Sequence, residues 1–305
     1  MENLIRKMKR LGLKLGIMKG IGYEAEFTCA FRKKEDKEGF IAYEELEDYW
    51  YADPLIFQYE NEEYVFMEAF ERSTGLGRIA VSQVGEEGWK SPEIILKENF
   101  HLSFPVIFEH RGILYMIPET STADKVILYE CKEFPMKWEK RAEFLQGRKL
   151  VDIVPVGKEE STVTFLASEC EKDSLRVRFQ AFTINFDSNC AVELKEYNCC
   201  QKYNFISRNG GVMVNGQLVL QKSTQAVYGY SILFAKSDEV LPCNVDIIRE
   251  IKPADIKLYN NKIKHIIGTH TYSCSEKYEL VDIQYMRFNK TKWINRYCER
   301  RKNGK

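Results

Sequence analysis

The chain has 305 residues, 44% hydrophobic and 30% charged, an ordinary composition for a soluble globular protein. Its 45 Lys+Arg balance 45 Asp+Glu, which excludes an affinity resting on bulk positive charge, and with it a nucleic-acid partner. No apolar run reaches transmembrane length and no compact apolar core precedes a cleavage site, so neither a membrane span nor secretion is expected.

The first segment, residues 1–22, is basic: Arg6, Lys7, Lys9, Arg10, Lys14 and Lys19 stand against Glu2 alone. Leu4, Met8, Leu11, Leu15 and Met18 recur at helical spacing, which suits a basic amphipathic helix touching a membrane surface. Gly12, Gly16 and Gly20 disfavour a helix there, and a strand through Leu13–Met18 is the preferred rival. A β-rich stretch, Tyr23–Arg32, follows.

Three similar units come next. Asp53–Phe57, Tyr64–Glu68 and Arg78–Ser82 make the first; Ser103–Phe108, Leu114–Glu119 and Val126–Tyr129 the second; Asp152–Val156, Val163–Glu169 and Leu175–Phe179 the third. Each is a short apolar strand, a polar turn, a second strand ending in Glu, a loop and a third strand. Two weaker copies follow, beginning at Arg208 and Asp255, and the basic tail, residues 296–305, reads as disordered. Unit starts lie 50, 49, 56 and 47 residues apart. A period near 50 built from hairpins predicts an all-β fold, a single-domain five-bladed β-propeller over residues 23–295. Tyr23–Arg32 is expected to form the outer strand of the last blade and close the ring. A β-sandwich with coincidental spacing is the alternative.

In a propeller the start of each blade's first strand and the end of its second share one face. The pairs there are Asp53/Glu68, Ser103/Glu119, Asp152/Glu169, Arg208/Gln221 and Asp255/His270. Ionisable residues should therefore converge on one mouth of the channel. Crowded carboxyls raise one another's pKa, and glycosyl chemistry needs such a pair, one to move a proton and one to meet the anomeric centre. Glu68, Glu169 and Asp255 read more simply as solvated strand ends. Asp53 stands out because Trp50, Tyr51 and Pro54 flank it, and sugars stack on aromatic rings.

Nine scattered cysteines, with no CxxC pair, fit no zinc or disulfide framework and suit a reducing cytosol. Four dispersed histidines without HExxH give no metal site. His101, His270 and Arg208 suit a phosphate or carboxylate, as in a sugar nucleotide.

Trp50–Pro54, His101–Pro105, Tyr115–Thr120, Phe134–Trp138, Val151–Asp152, Arg208–Gly211, Gln221, Tyr228–Gly229, Gly268–Tyr272 and Asp282 follow in order. Together they resemble the propeller domain N-terminal to the catalytic domain of plant glucosamine inositolphosphorylceramide transferases, and similar domains in bacterial polysaccharide gene products. The resemblance spans residues 40–285. It implies an architecture shared with arabinanase- and levansucrase-type enzymes, with Asp53 in their first-blade Asp position. Ser103 stands where those enzymes often have Asp, and Gln221-Lys222-Ser223 replaces the family's Gln-Asp-Cys. No separate glycosyltransferase domain is expected, as the chain ends soon after Trp293.

The expectation is thus a glycosyl-transferring enzyme of surface polysaccharide or glycolipid assembly, cytoplasmic or peripheral to the inner membrane face. A glycoside hydrolase and a non-catalytic sugar-binding or scaffold module are the alternatives. Asp53, Glu119 and Asp152 are the catalytic candidates. Trp50, His101, Ser103, Arg208, Gln221, Tyr228 and His270 are the substrate-binding candidates. No resident cofactor is expected beyond a sugar-nucleotide donor, and the partner is a glycan or glycolipid acceptor.

Overall fold

The computed structural model describes residues 17–18, 22–36, 39–43, 46–85, 88–170, 177–197, 206–224, 226–237, 245–259, 263, 265–291, 293–294 and 297–298. Five antiparallel sheets are arranged as the blades of a propeller. The chain enters through β1 (Tyr23–Lys33) and β2 (Ile41–Ala42). Blade one is β3 (Tyr49–Tyr59), β4 (Glu62–Glu71) and β5 (Leu76–Gly85), edged by β6 (Gly88–Trp89) and β7 (Glu93–Leu96). Blade two is β8 (Ser103–His110), β9 (Ile113–Glu119), β10 (Val126–Glu133) and β11 (Lys137–Phe144). Blade three is β12 (Leu150–Lys158), β13 (Thr162–Cys170), β14 (Val177–Asn185) and β15 (Cys190–Tyr197). Blade four is β16 (Ile206–Val214), β17 (Gln217–Ser223), β18 (Ser231–Ser237) and β19 (Val245–Ile251). Blade five combines β20 (Tyr272–Cys274) and β21 (Tyr278–Phe288) with β1 and β2.

Turn chemistry sets the inner hairpins. Glu60-Asn61, Arg111-Gly112 and Asn215-Gly216 all have positive φ at both positions, the geometry whose twist matches paired strands. The core lies between blades rather than within them. One apolar cluster joins blades two to four, with Val106, Phe165, Phe182, Leu220 and Leu233. Others fill the seams between blades five and one, four and five, and one and two. Such seams fix each blade against its neighbour by removing apolar area from water.

β1 closes the ring by pairing along its whole length with β21, from Tyr23↔Phe288 to Lys33↔Tyr278. It is the third strand of blade five, with β2 outside it, not the outermost. Blade five departs further from expectation. Asp255 sits in an exposed 3₁₀ turn, Pro253–Asp255, where its carboxylate accepts the Lys252 N–H at 2.8 Å. The inner strand is the short β20 instead. Ile17 and Met18 are helical rather than strand; the remainder of Met1–Gly20, and residues 299–305 of the tail, lie outside the described residues. Among the described residues no helix is long and apolar enough to cross a membrane.

Candidate active site

The inner strands share a deformation that makes the site. Pairing slips between Ala52 and Leu55, between Ser103 and Val106, and between Val151 and Val154. Within each bulge one residue turns left-handed: Asp53 (φ 52°), Phe104 (φ 46°) and Asp152 (φ 51°). Bulges re-aim side chains near functional sites. Here they turn Asp53 and Asp152 toward one mouth. Phe104, not Ser103, is the conformational counterpart of these acids; Ser103 pairs with Glu119 as Ala52 pairs with Glu68. The one-residue correction explains why blade two contributes no acid from its first strand.

At that mouth lies a cavity of about 190 Å³. Asp53, Glu119, Asp152, Trp50, His101, Ser103, Arg208, Gln221, Tyr228 and His270 all line it. The ten sequence candidates, spread over 221 positions of chain from 50 to 270, are thus brought together. Glu169 instead forms an ion pair with Arg148, 2.9 Å.

Two electrostatic centres can be distinguished. In the first, Asp53 accepts the Thr271 hydroxyl at 2.7 Å and the Phe104 N–H at 3.1 Å, with His270 Nε2 at 3.8 Å. Burial pushes its carboxyl upward, while the His270 charge and these donors pull it back. His270 is stacked on Phe27 at 4.6 Å, and its Nδ1 contacts Asp282. Burial alone would discharge this imidazole, but Asp282 overrides it and His270 is pushed up to about 9. Asp282, wholly buried, also accepts the N–H groups of Asp53, His270 and Thr271 at 3.3, 2.8 and 3.1 Å. Gly229 (φ 61°) permits the adjoining loop, since a Cβ there would lie 2.5 Å from His270 Cβ.

In the second centre, Arg208 lies 3.7 Å from Asp152, and Gln221 Nε2 donates to the same carboxylate oxygen at 3.3 Å. Asn209 Nδ2 braces the backbone, donating to the carbonyls of Asp152 and Leu166 at 2.7 and 3.1 Å. Burial raises Asp152 to about 8; Arg208 opposes the rise, and the Glu119 and Asp53 charges add to it. Glu119 is also raised by burial, against Arg208 and the Ser121 hydroxyl that donates to it at 2.7 Å. Tyr228 OH accepts from both Arg208 and Gln221 at 3.4 Å. Asp152 holding its proton and His270 holding its charge both present acids to the cavity.

Other groups shape the site without being among the sequence candidates: Ala52, Asn209 and Thr271 also line the cavity, and the fully buried Asp282 supports its wall. Phe27 and Phe70 extend the aromatic wall, Phe70 stacked on Trp50 at 4.4 Å. Asp282 belonged to the matched motifs, but its role needs the closed ring to be visible. Glu68, read as a solvated strand end, is buried, and its carboxyl is pushed well above the usual range by burial and then by Asp53, Glu119 and Asp282. Asp53, His270 and Asp282 bring possible metal-ligand atoms within 4.8 Å of one another. A cation there would compete with the hydrogen bonds that already engage those atoms.

Comparison with known families places this geometry. Residues 41–294 match the family model described as glucosamine inositolphosphorylceramide transferase 1, N-terminal. The chain belongs to this family. The enzyme named glucosamine inositolphosphorylceramide transferase 1 from Arabidopsis thaliana is 33% identical over 103 residues, covering 33% of this chain and 13% of that protein. Its namesake from Oryza sativa subsp. indica is 33% identical over 89 residues, 28% of this chain and 12% of the relative. The match thus spans about an eighth of the length of these relatives. Among solved structures, a family-43 β-xylosidase/α-arabinofuranosidase from a compost microbial metagenome superposes with a TM-score of 0.53 at 13% identity, covering 80% of this chain and 92% of its own. The β-xylosidase RS223 gives 0.51 at 12%, covering 80% and 94%. At these identities the likeness establishes the fold.

Proposed function

We propose that this family member acts on carbohydrate and that its cavity performs glycosyl transfer in the assembly of a surface polysaccharide or glycolipid. The observation that carries the reading is the unequal surroundings of the buried acids. Asp152, pushed up to about 8, holds its proton at neutral pH. Asp53 has Thr271, the Phe104 N–H and His270 to stabilise its ionised form. A carboxyl that can give a proton and another that can take one are the pair glycosyl chemistry requires. In this scheme Asp53 takes the proton of the acceptor hydroxyl or steadies positive charge at the anomeric carbon. Asp152 or Glu119 protonates the departing oxygen, while Arg208 and His270 hold the phosphate of a sugar-nucleotide donor. Trp50 supplies a ring face for the sugar.

A second reading, a sugar-binding module serving a separate transferase, is favoured by the match falling within the N-terminal region of much longer relatives. Incubation with a panel of sugar nucleotides and glycan or glycolipid acceptors, with the D53N variant alongside, separates the cases. Transfer that D53N abolishes supports the proposal. Free sugar released from a glycan without any nucleotide indicates a hydrolase, and saturable binding without turnover indicates the module.

A further inference from the structure

One corner of the cavity plays no part in the scheme above. Glu68, at the end of β4, is only 5% exposed, yet its Oε1 has no hydrogen-bond partner and the side chain lines the cavity. Opposite it, 3.4 Å away, is Nε2 of His101. The other ring nitrogen, Nδ1, accepts the Gly77 N–H at 2.9 Å. A nitrogen that accepts carries no proton, so the ring is neutral and its hydrogen sits on Nε2, facing Glu68. The carboxyl's charged neighbours are acids: Asp53, Glu119 and Asp282. Arg78, whose charge reaches His101, is engaged with Glu71 at 3.0 Å and with the Glu98 carbonyl. An ionised Glu68 would be a buried charge without a counter-ion, which is costly, whereas a protonated one is a free donor.

The surroundings are built around this pair. A Cβ on Gly77 would lie 2.2 Å from the Leu102 carbonyl, 2.7 Å from Glu68 Oε1 and 2.8 Å from His101 Cε1, so only glycine lets the N–H reach the imidazole. Phe70 flanks His101 at 6.1 Å and continues to Trp50. The cavity therefore has a side carrying the cations Arg208 and His270, from blades four and five, and a side where Trp50, Phe70, Glu68 and His101 gather with no cation lining it.

We propose that Glu68 and His101 form an uncharged hydroxyl-binding subsite, which grips a neutral sugar ring lying against Trp50 and Phe70. The proposal rests on the carbohydrate reading and adds to it the chemical class of the moiety held on this side. Protonated Glu68 donates a hydrogen bond to one sugar hydroxyl, and its carbonyl oxygen accepts one from a neighbouring hydroxyl. His101 Nε2 holds the carboxyl in place. The charged side is left to the phosphate or acidic portion of the ligand.

The test uses the full chain with ¹⁵N-labelled histidine and ¹³C-labelled glutamate, and methyl glycosides of glucose, galactose and mannose as probes. The expected result is a neutral His101 ring protonated at Nε2, and perturbation of the Glu68 and His101 signals by at least one glycoside. Glu68→Gln, a neutral donor of the same shape, keeps binding within about threefold of wild type. Glu68→Ala weakens it roughly 5- to 100-fold. Should the alanine variant fail to fold, the glutamine variant and the tautomer still decide. Loss of binding in Glu68→Gln, or an imidazolium or Nδ1-protonated ring at neutral pH, overturns the proposal. Glycosides that perturb only the His270 and Glu119 signals would end this inference and leave the carbohydrate reading standing. Glycosides that perturb no group in the cavity would remove both.

Discussion

Replacing His270 by Asn tests the central electrostatic arrangement through stability. Asn keeps a donor near Asp282 while removing the charge and the ring stacked on Phe27. His270 is raised in the folded protein from 6.5 to about 9. A raised pKa means that the imidazolium's contribution is fully present below 6.5 and is lost as pH rises through about 9. The difference corresponds to roughly 3 kcal/mol. For a chain of this size that is on the order of 6 °C in Tm. Carboxyls that titrate in both proteins cancel to first order. Thermal unfolding of wild type and H270N, below pH 6.5 and again above about 9, should therefore show a gap that is larger on the acid side by about that amount. A gap independent of pH would refute the claim that His270 is held as a cation by Asp282 and Asp53.

Four further outcomes are expected. D53N should fold normally, because Asn tolerates the left-handed φ of 52°, yet lose roughly 10²- to 10⁴-fold in glycosyl turnover if Asp53 moves a proton; steady-state rates decide. If Asp152 is the acid of the proposed scheme, wild-type turnover should fall as pH rises through about 8, where it loses its proton, and a pH–rate profile of D152N should lack that limb. Gly77→Ala should lower Tm and displace His101, given the 2.2 Å approach to the Leu102 carbonyl, as calorimetry and histidine NMR would report. Arg72 donates to Glu26 at 2.6 Å and to the carbonyls of Leu46, Glu47 and Tyr49; Arg72→Ala should cost about 1–3 kcal/mol in chemical denaturation by removing these bonds and leaving Glu26 with its longer, 3.4 Å contact to Arg287.

The propeller was legible because its blades repeat the same physics: an apolar inner strand, a short turn and a polar end. Where the period broke, the reading broke too. The segment after Pro253 carries β-branched and apolar residues, Ile256 and Leu258, and looks like a strand. Its backbone instead joins the entry segment, Phe40 N–H donating to Lys257 O at 2.8 Å and Phe40 O accepting from Tyr259 at 2.8 Å. Ser103 was placed one residue off because a bulge leaves no mark in hydrophobic alternation; only the left-handed φ at Asp53, Phe104 and Asp152 reveals the common register. Glu68 and Asp282 show a different limit. Both are single acids buried by groups distant in sequence, Asp53, Glu119 and Asp282 around Glu68, and β1 and Asp53 around Asp282, so local sequence cannot distinguish them from solvated ends.

A crystal structure of the protein soaked with a sugar nucleotide would test the account most directly. The expected density places the sugar ring against Trp50, within hydrogen-bond reach of Asp53 and Asp152, with phosphate oxygens on Arg208 and His270. Density for the nucleotide elsewhere on the surface, with the cavity left to solvent, would contradict it.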